Sequence, residues 1–160
     1  MNKQKLLQLV VEMLTQREKS TKQSLETTKQ AAIEAPGAMQ SHSDTTKWQM
    51  SRRAEAIEQS LFETRQALGA LKRFMDHLPT TTKGSSCAIV EVENLDDGVR
   101  SKYFLLPVGG GDTYEVDGEK ISTLSIGAPM ARAFIGTVAG DEVEVKIQET
   151  TKRFNVVSVT

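Results

Sequence analysis

The sequence predicts an α+β protein: an N-terminal antiparallel coiled-coil hairpin of two long helices, then a small, mostly antiparallel sheet with one short helix. Two observations carry this. Residues 47–78 hold an apolar stripe at alternating spacings of four and three, and beyond residue 87 the pattern switches to the alternation of strands. Between them PTTTKGSS, residues 79–86, has the composition of a linker. The expected division is a hairpin over 1–78 with its tip at about 36–44, a linker over 79–86 and a sheet domain over 87–160.

The stripe runs through Met50, Ala54, Ile57, Leu61, Thr64, Leu68, Leu71, Met75 and Leu78, with no proline to interrupt it. Gly69 weakens it by about 1 kcal/mol relative to alanine. Each buried Leu or Ile contributes roughly 1.5–3 kcal/mol, so the stripe needs a partner. Leu7, Val10, Leu14, Thr21, Leu25, Thr28, Ala32 and Ala35 supply one. Its middle, REKSTKQSLETTKQ, is mostly polar, and pairing there is expected to be weak. Each segment is long enough for a helix of roughly 50 Å. The connection PGAMQSHSDTTKW, residues 36–48, opens on the breaker pair Pro36-Gly37. Equal lengths and a short breaker imply an antiparallel pair, with Ser41 and Asp44 placed to cap the second helix.

In the second half, CAIVEVE and SKYFLLPV read as strands, the second apolar on both faces and therefore central. EVEVKI alternates as a half-covered strand does, and RFNVVSV reads as another. PMARAFIG is a short helix with Pro129 in its first turn and Gly136 as its stop.

Charge and composition exclude several classes of function. Residues 1–78 hold twelve Lys/Arg against nine Asp/Glu, and residues 79–160 hold eight against twelve. That imbalance is far below what a free-duplex-DNA binder carries, so little free DNA binding is expected. No run of about eighteen apolar residues exists, and the N-terminal apolar cluster is too short and too charged for a secretory signal. The single cysteine, Cys87, excludes an internal disulfide and a cysteine metal cluster. The cytoplasm is the expected location. His42 beside Asp44 makes a poor transition-metal site, and His77 reads as structural or exposed. Gly109-Gly110-Gly111 lacks the GK[ST] ending of a phosphate loop and reads as a hairpin or loop. Cys87 reads as a small core residue at the start of a strand.

The stretch SIGAPMARAFIGTVAGDEVEV, residues 125–145, resembles the C-terminal domain of the bacterial GreA/GreB transcript cleavage factors. Pro129-Met130-Ala131-Arg132-Ala133 and Gly140-Asp141-Glu142-Val143 carry the likeness, with GEKIS, residues 118–122, upstream. The helical hairpin in front extends it over essentially the whole chain. The resemblance implies an FKBP-like C-terminal domain that grips bacterial RNA polymerase at the rim of its secondary channel. It implies a hairpin that enters the channel, where acidic tip residues help hold a catalytic magnesium ion. The protein would then have no cofactor of its own and would be no enzyme, the magnesium being shared with polymerase. Gly127, Ala128 and Pro129 fall where the family contacts the rim, although the family often has Asp or Ser at the first two. Trp48 takes the place of a tip tyrosine and Arg52 that of a basic residue near the transcript. Of two acidic tip places, Ser41 stands at the first and Asp44 at the second, so one carboxylate remains of two. Lys47, Arg52 and Arg53 read either as a solvated face or as a contact to the nascent RNA backbone. Trp48 either stacks on a base or channel wall or packs on the opposite helix. An alternative function is a prolyl isomerase or chaperone with a helical arm, which would draw a pocket from Tyr103, Phe104, Tyr114, Phe134 and Phe154.

Overall fold

The computed structural model describes the backbone of residues 3–34, 41–147 and 149–160, and the side chains of these except 41–46 and 147. Two long helices, α1 (Lys3–Glu34) and α2 (Ser41–Met75), precede six strands and a short helix. The chain divides into two compact units, residues 12–68 and residues 1–11 with 69–160. Among the described residues no helix is long and apolar enough to cross a membrane.

The first unit is helical. Leu14, Leu25 and Thr28 of α1 and Ala54, Leu61, Thr64, Ala67 and Leu68 of α2 are buried, and all but Ala67 belong to the two stripes read from the sequence. Leu25, Ala54 and Leu61 form one apolar cluster with Ile57 packed against it. The Arg65 guanidinium donates to Glu18 at 2.7 Å, and Lys29 pairs with Glu58. Position 18 thus lies opposite 65 and 29 opposite 58, which fixes an antiparallel pairing. Ala35 and residues 36–40 of the expected tip lie outside the described residues.

The second unit begins with the first turns of α1. Here the buried set widens to Leu6, Leu7, Val10 and Val11, with Leu71 of α2. Leu6 and Val11 stand beside the coiled-coil positions, so the helix buries a broader face than a two-helix seam alone requires. Gln4 donates to the carbonyl of Met75 at 2.8 Å, satisfying one of the open carbonyls at the end of α2. Lys3 donates to the carbonyl of Pro79 at 2.8 Å, and Lys5 pairs with Asp117 at 3.0 Å.

The strands are β1 (Ile89–Asn94), β2 (Arg100–Leu106), β3 (Thr113–Val116), β4 (Glu119–Ser125), β5 (Glu142–Ile147) and β6 (Thr150–Val159). They form one sheet in the order β3-β4-β2-β1-β6-β5. Only β2 and β4 run parallel; the other four pairings are antiparallel. β2 is interior, as its apolar run over both faces requires, and Phe104, Leu105 and Leu106 are all buried. The helix α3 (Pro129–Phe134) lays Ala131 and Phe134 into a core of Val90, Val92, Leu105, Val145, Phe154 and Val156. Phe134 stacks on Tyr103 at 5.8 Å and meets Phe154 edge-on at 6.0 Å.

The hairpin β3–β4 is an addition to the strands read from the sequence. Its turn is Asp117-Gly118, both at positive φ (54° and 80°), the combination that a tight two-residue turn requires. Cys87 also differs from expectation. It precedes β1 in a left-handed conformation (φ 62°), fully buried, and its N–H donates to Leu105 at 2.7 Å. Within 79–86, Gly84 is held by hydrogen bonds to Thr137 and Gly136, and a Cβ there would stand 1.8 Å from the Phe134 carbonyl oxygen.

Candidate functional site

The loop between β4 and α3 is built by Ser125. Its carbonyl accepts from the Ala128 N–H at 2.8 Å, and its hydroxyl oxygen accepts from the Gly127 N–H at 3.3 Å. The Ile126 N–H donates to Leu106 at 2.8 Å, which ties the loop to the central strand. Gly127 and Pro129 are exposed, whereas Ala128 is half-buried against the core. Pro129 occupies the first helical position, where its missing N–H leaves nothing unpaired. Ala128 has the extended backbone of an N-cap (φ −69°, ψ 144°) and no side chain to cap with. A Cβ on Gly127 would meet only the Ser125 hydroxyl, at 3.6 Å. The loop therefore presents Gly127 and Pro129 on a rigid backbone, with room for side chains that this chain lacks.

Three cations and an aromatic, Lys47, Trp48, Arg52 and Arg53, fall within about two turns of α2. Trp48 is 62% exposed, so it does not join the seam; Met50 and Ala54 do that work on this stretch. The Arg52 guanidinium lies 5.3 Å from the centre of the Trp48 ring, one helical turn on. Lys47 and Arg53 are exposed. Trp48 and Arg52 thus pair an indole plane with a guanidinium, an arrangement suited to a base and a phosphate, whereas Arg53 borders Ser20 and Ser24 of α1. Asp44 and Ser41 have their backbone in the first turn of α2, and their side chains, like that of His42, lie outside the described residues.

The remaining candidates are accounted for by the fold. His77 is exposed, and among the described residues no three His, Cys, Asp or Glu side chains gather as a metal site. Gly109, Gly110 and Gly111 all have positive φ, and a Cβ at Gly110 would press on the Ser125 nitrogen at 2.9 Å. That run is a close backbone approach, with the Gly111 N–H already given to Thr123. Burial pushes the Cys87 thiol above its ordinary range and Lys3 below its own. Phe104 and Phe134 are fully buried, and Tyr103 stacks within the core. Tyr103 and Phe154 also line a hollow of about 340 Å³, but Asn94, Asp97, Ser101 and Lys152 surround it rather than further aromatics. Ser125 was not singled out by sequence reasoning. Its place two residues before a glycine, with a proline-started helix just beyond, is the signal of a hydroxyl-ordered turn.

Residues 85–160 match the family model described as transcription elongation factor, GreA/GreB, C-terminal. No curated protein matches the chain in sequence. Among solved structures, GreA factor homolog 1 of Thermus thermophilus is similar at 16% identity, with 94% of each chain covered and a TM-score of 0.39. The corresponding protein of Thermus aquaticus is 16% identical over 92% of each chain, with a TM-score of 0.39. A GreA/GreB elongation factor from Nitrosomonas europaea is 22% identical over 61% of this chain and 78% of its own, with a TM-score of 0.37. These structural likenesses are too distant to support an argument, and the assignment rests on the sheet unit. Residues 85–160 therefore form a domain of the kind found at the C-terminus of GreA/GreB transcription elongation factors.

Proposed function

We propose that the protein is a transcription elongation factor that binds RNA polymerase through the Ser125–Pro129 loop and inserts its helical hairpin into the secondary channel. The observation that carries the reading is the ordered loop, with Gly127 and Pro129 exposed at the start of α3, inside the family-matched residues. The factor catalyses nothing alone; it alters the reaction of the enzyme it enters. A paired-helix arm of about 50 Å is thin and stiff enough to reach a recessed active centre. Trp48 and Arg52 then stack on or beside the transcript, and Lys47 and Arg53 attract its phosphates by charge.

Asp44 is the residue placed to assist chemistry. A carboxylate is a hard oxygen ligand for magnesium, and the ion's role in phosphodiester hydrolysis is to polarise the attacking water. One carboxylate is too few for a site of the factor's own, so the donor set fits an ion held chiefly by polymerase. With Ser41 in the other acidic place, recruitment through Asp44 alone is weakened, and channel occupancy outweighs cleavage.

Purified factor added to a backtracked elongation complex tests both parts. The expected result is co-purification with core polymerase and slow, magnesium-dependent shortening of the transcript that Asp44→Ala abolishes. Failure to bind polymerase overturns the reading as a whole. Shortening that persists in Asp44→Ala overturns the role given to the tip.

A further inference from the structure

The two helices of the arm are not closed evenly along their length. Leu14 and Leu25 are buried on α1, yet among the described residues none from 15 through 24 is. The two places where the stripe should continue are Glu18 and Thr21, both half-buried. The pairing of Glu18 with Arg65 and of Lys29 with Glu58 sets the register, and it puts Thr64 opposite the neighbourhood of Thr21. This layer of the seam is therefore two threonines and an ion pair, with apolar layers before and after it.

Three further observations fall on or directly beside the same stretch. Thr28 and Thr64 donate their hydroxyls to the carbonyls of Ser24 and Ser60 at 2.8 and 2.9 Å, and Thr27 does so to Gln23 at 3.0 Å. Such back-bonds compete for the helix's own acceptors and favour bending. A hollow of about 410 Å³ is lined by Ser20, Thr21, Ser24 and Ser60, and another of about 500 Å³ by Ser20, Gln23, Ser24 and Thr27 among others. On the α1 side these hollows are lined chiefly by short polar side chains, with Arg53, Ile57 and Met50 of α2 at their borders. The Arg65 side chain is 53% exposed, so its pair with Glu18 is weakly held against water.

The geometry points to a built-in opening layer at residues 15–24 and 62–66, where the hairpin yields while the apolar layers on either side, Leu61 with Leu25 among them, stay closed. Cooperative units in a native protein open separately when few buried apolar contacts join them. Here the joining layer has none on α1. An arm that yields at this place bends without unpairing its end. The inference concerns the free protein and stands whether or not the polymerase reading does.

Hydrogen exchange on the full chain tests it. Amides of residues 16–23 are expected to exchange about tenfold faster, or more, than those of residues 7–13, a factor of the size that one buried leucine supplies. The double substitution Glu18→Leu with Thr21→Leu is expected to slow 16–23 and leave 7–13 unchanged. Arg65→Ala, which releases Glu18 and adds no apolar surface, is expected to speed exchange in 16–23 alone. Equal protection of 16–23 and 7–13 in the parent protein would overturn the inference. So would a double variant, or Arg65→Ala, that moves both segments together, since that reports global opening.

Discussion

The sheet unit and the helical arm bury their side chains by different means. In the sheet unit Phe134 touches Tyr103 and Phe154, and with Ala131 it joins residues from β1, β2, β5 and β6 in one core. Every strand is fixed by at least one neighbour, so no part can move without disturbing another. In the arm the cluster of Leu25, Ala54 and Leu61 is the apolar content of several turns, and Phe62 is 56% exposed beside it. A unit that must present a fixed loop needs the first kind of packing. A long arm tolerates the second, because each helix satisfies its own backbone and the seam only has to keep the pair in register.

Deleting one anchor in each region should separate the two kinds sharply. Phe134→Ala leaves a large void under α3 and is expected to cost about 3–5 kcal/mol, enough to unfold most marginal domains. Because α3 opens at Pro129, the loop loses its support with it. Chemical denaturation followed by the ring proton signals of Tyr103, in contact with Phe134, in nuclear magnetic resonance spectra reads this directly. A loss below about 1 kcal/mol would mean that α3 is not anchored as described.

Leu61→Ala comes next. It removes one of the two buried leucines of the arm's cluster, but its neighbour Ile57 borders open space and can settle into the gap. The expected cost is about 2 kcal/mol, at the low end of the Leu→Ala range. Circular dichroism at 222 nm should show the helical signal melting earlier, while the sheet unit's transition stays in place. If the two transitions shift together, the chain is a single cooperative body rather than two.

How far each region could be read from sequence follows from the same contrast. The arm was legible because its buried apolar positions serve one seam: Leu14, Leu25, Ala54, Leu61 and Leu68 all stand at coiled-coil spacings, while Met13, Ile33, Trp48 and Phe62 fall off it and are exposed. What spacing did not show was Leu6 and Val11, buried by the wider face of α1's first turns. In the sheet unit the apolar strands announced themselves, while TYEVDGEKISTLS did not. Its alternation is mixed with charge, and Asp117-Gly118 was the signal to heed, a turn pair between two strand-like runs. The loop at Gly127–Pro129 was singled out through resemblance, because no apolar periodicity runs through it. Its order comes from Ser125, a hydroxyl whose partners are backbone groups and leave no periodic trace. Trp48 was open between two readings, since an aromatic beside a seam suits either; only coordinates show it turned outward under Arg52.

The smallest expected effect bears on the loop itself. Ala128 sits at the N-cap of α3 without a capping oxygen, although its backbone is already in the extended conformation that a capping residue uses. Ala128→Asp supplies an acceptor for the open N–H groups of the first turn and a negative charge at the helix's positive end. The expected gain is about 1 kcal/mol, read as a raised denaturation midpoint with an unchanged slope. Ala128 is half-buried, so a carboxylate there must turn toward the helix start to remain hydrated. Stabilisation would therefore establish that the loop holds its geometry with a side chain of the kind the family often carries. Destabilisation would show instead that Ala128 is fixed by its contact with the core, and that the alanine is the residue this packing requires.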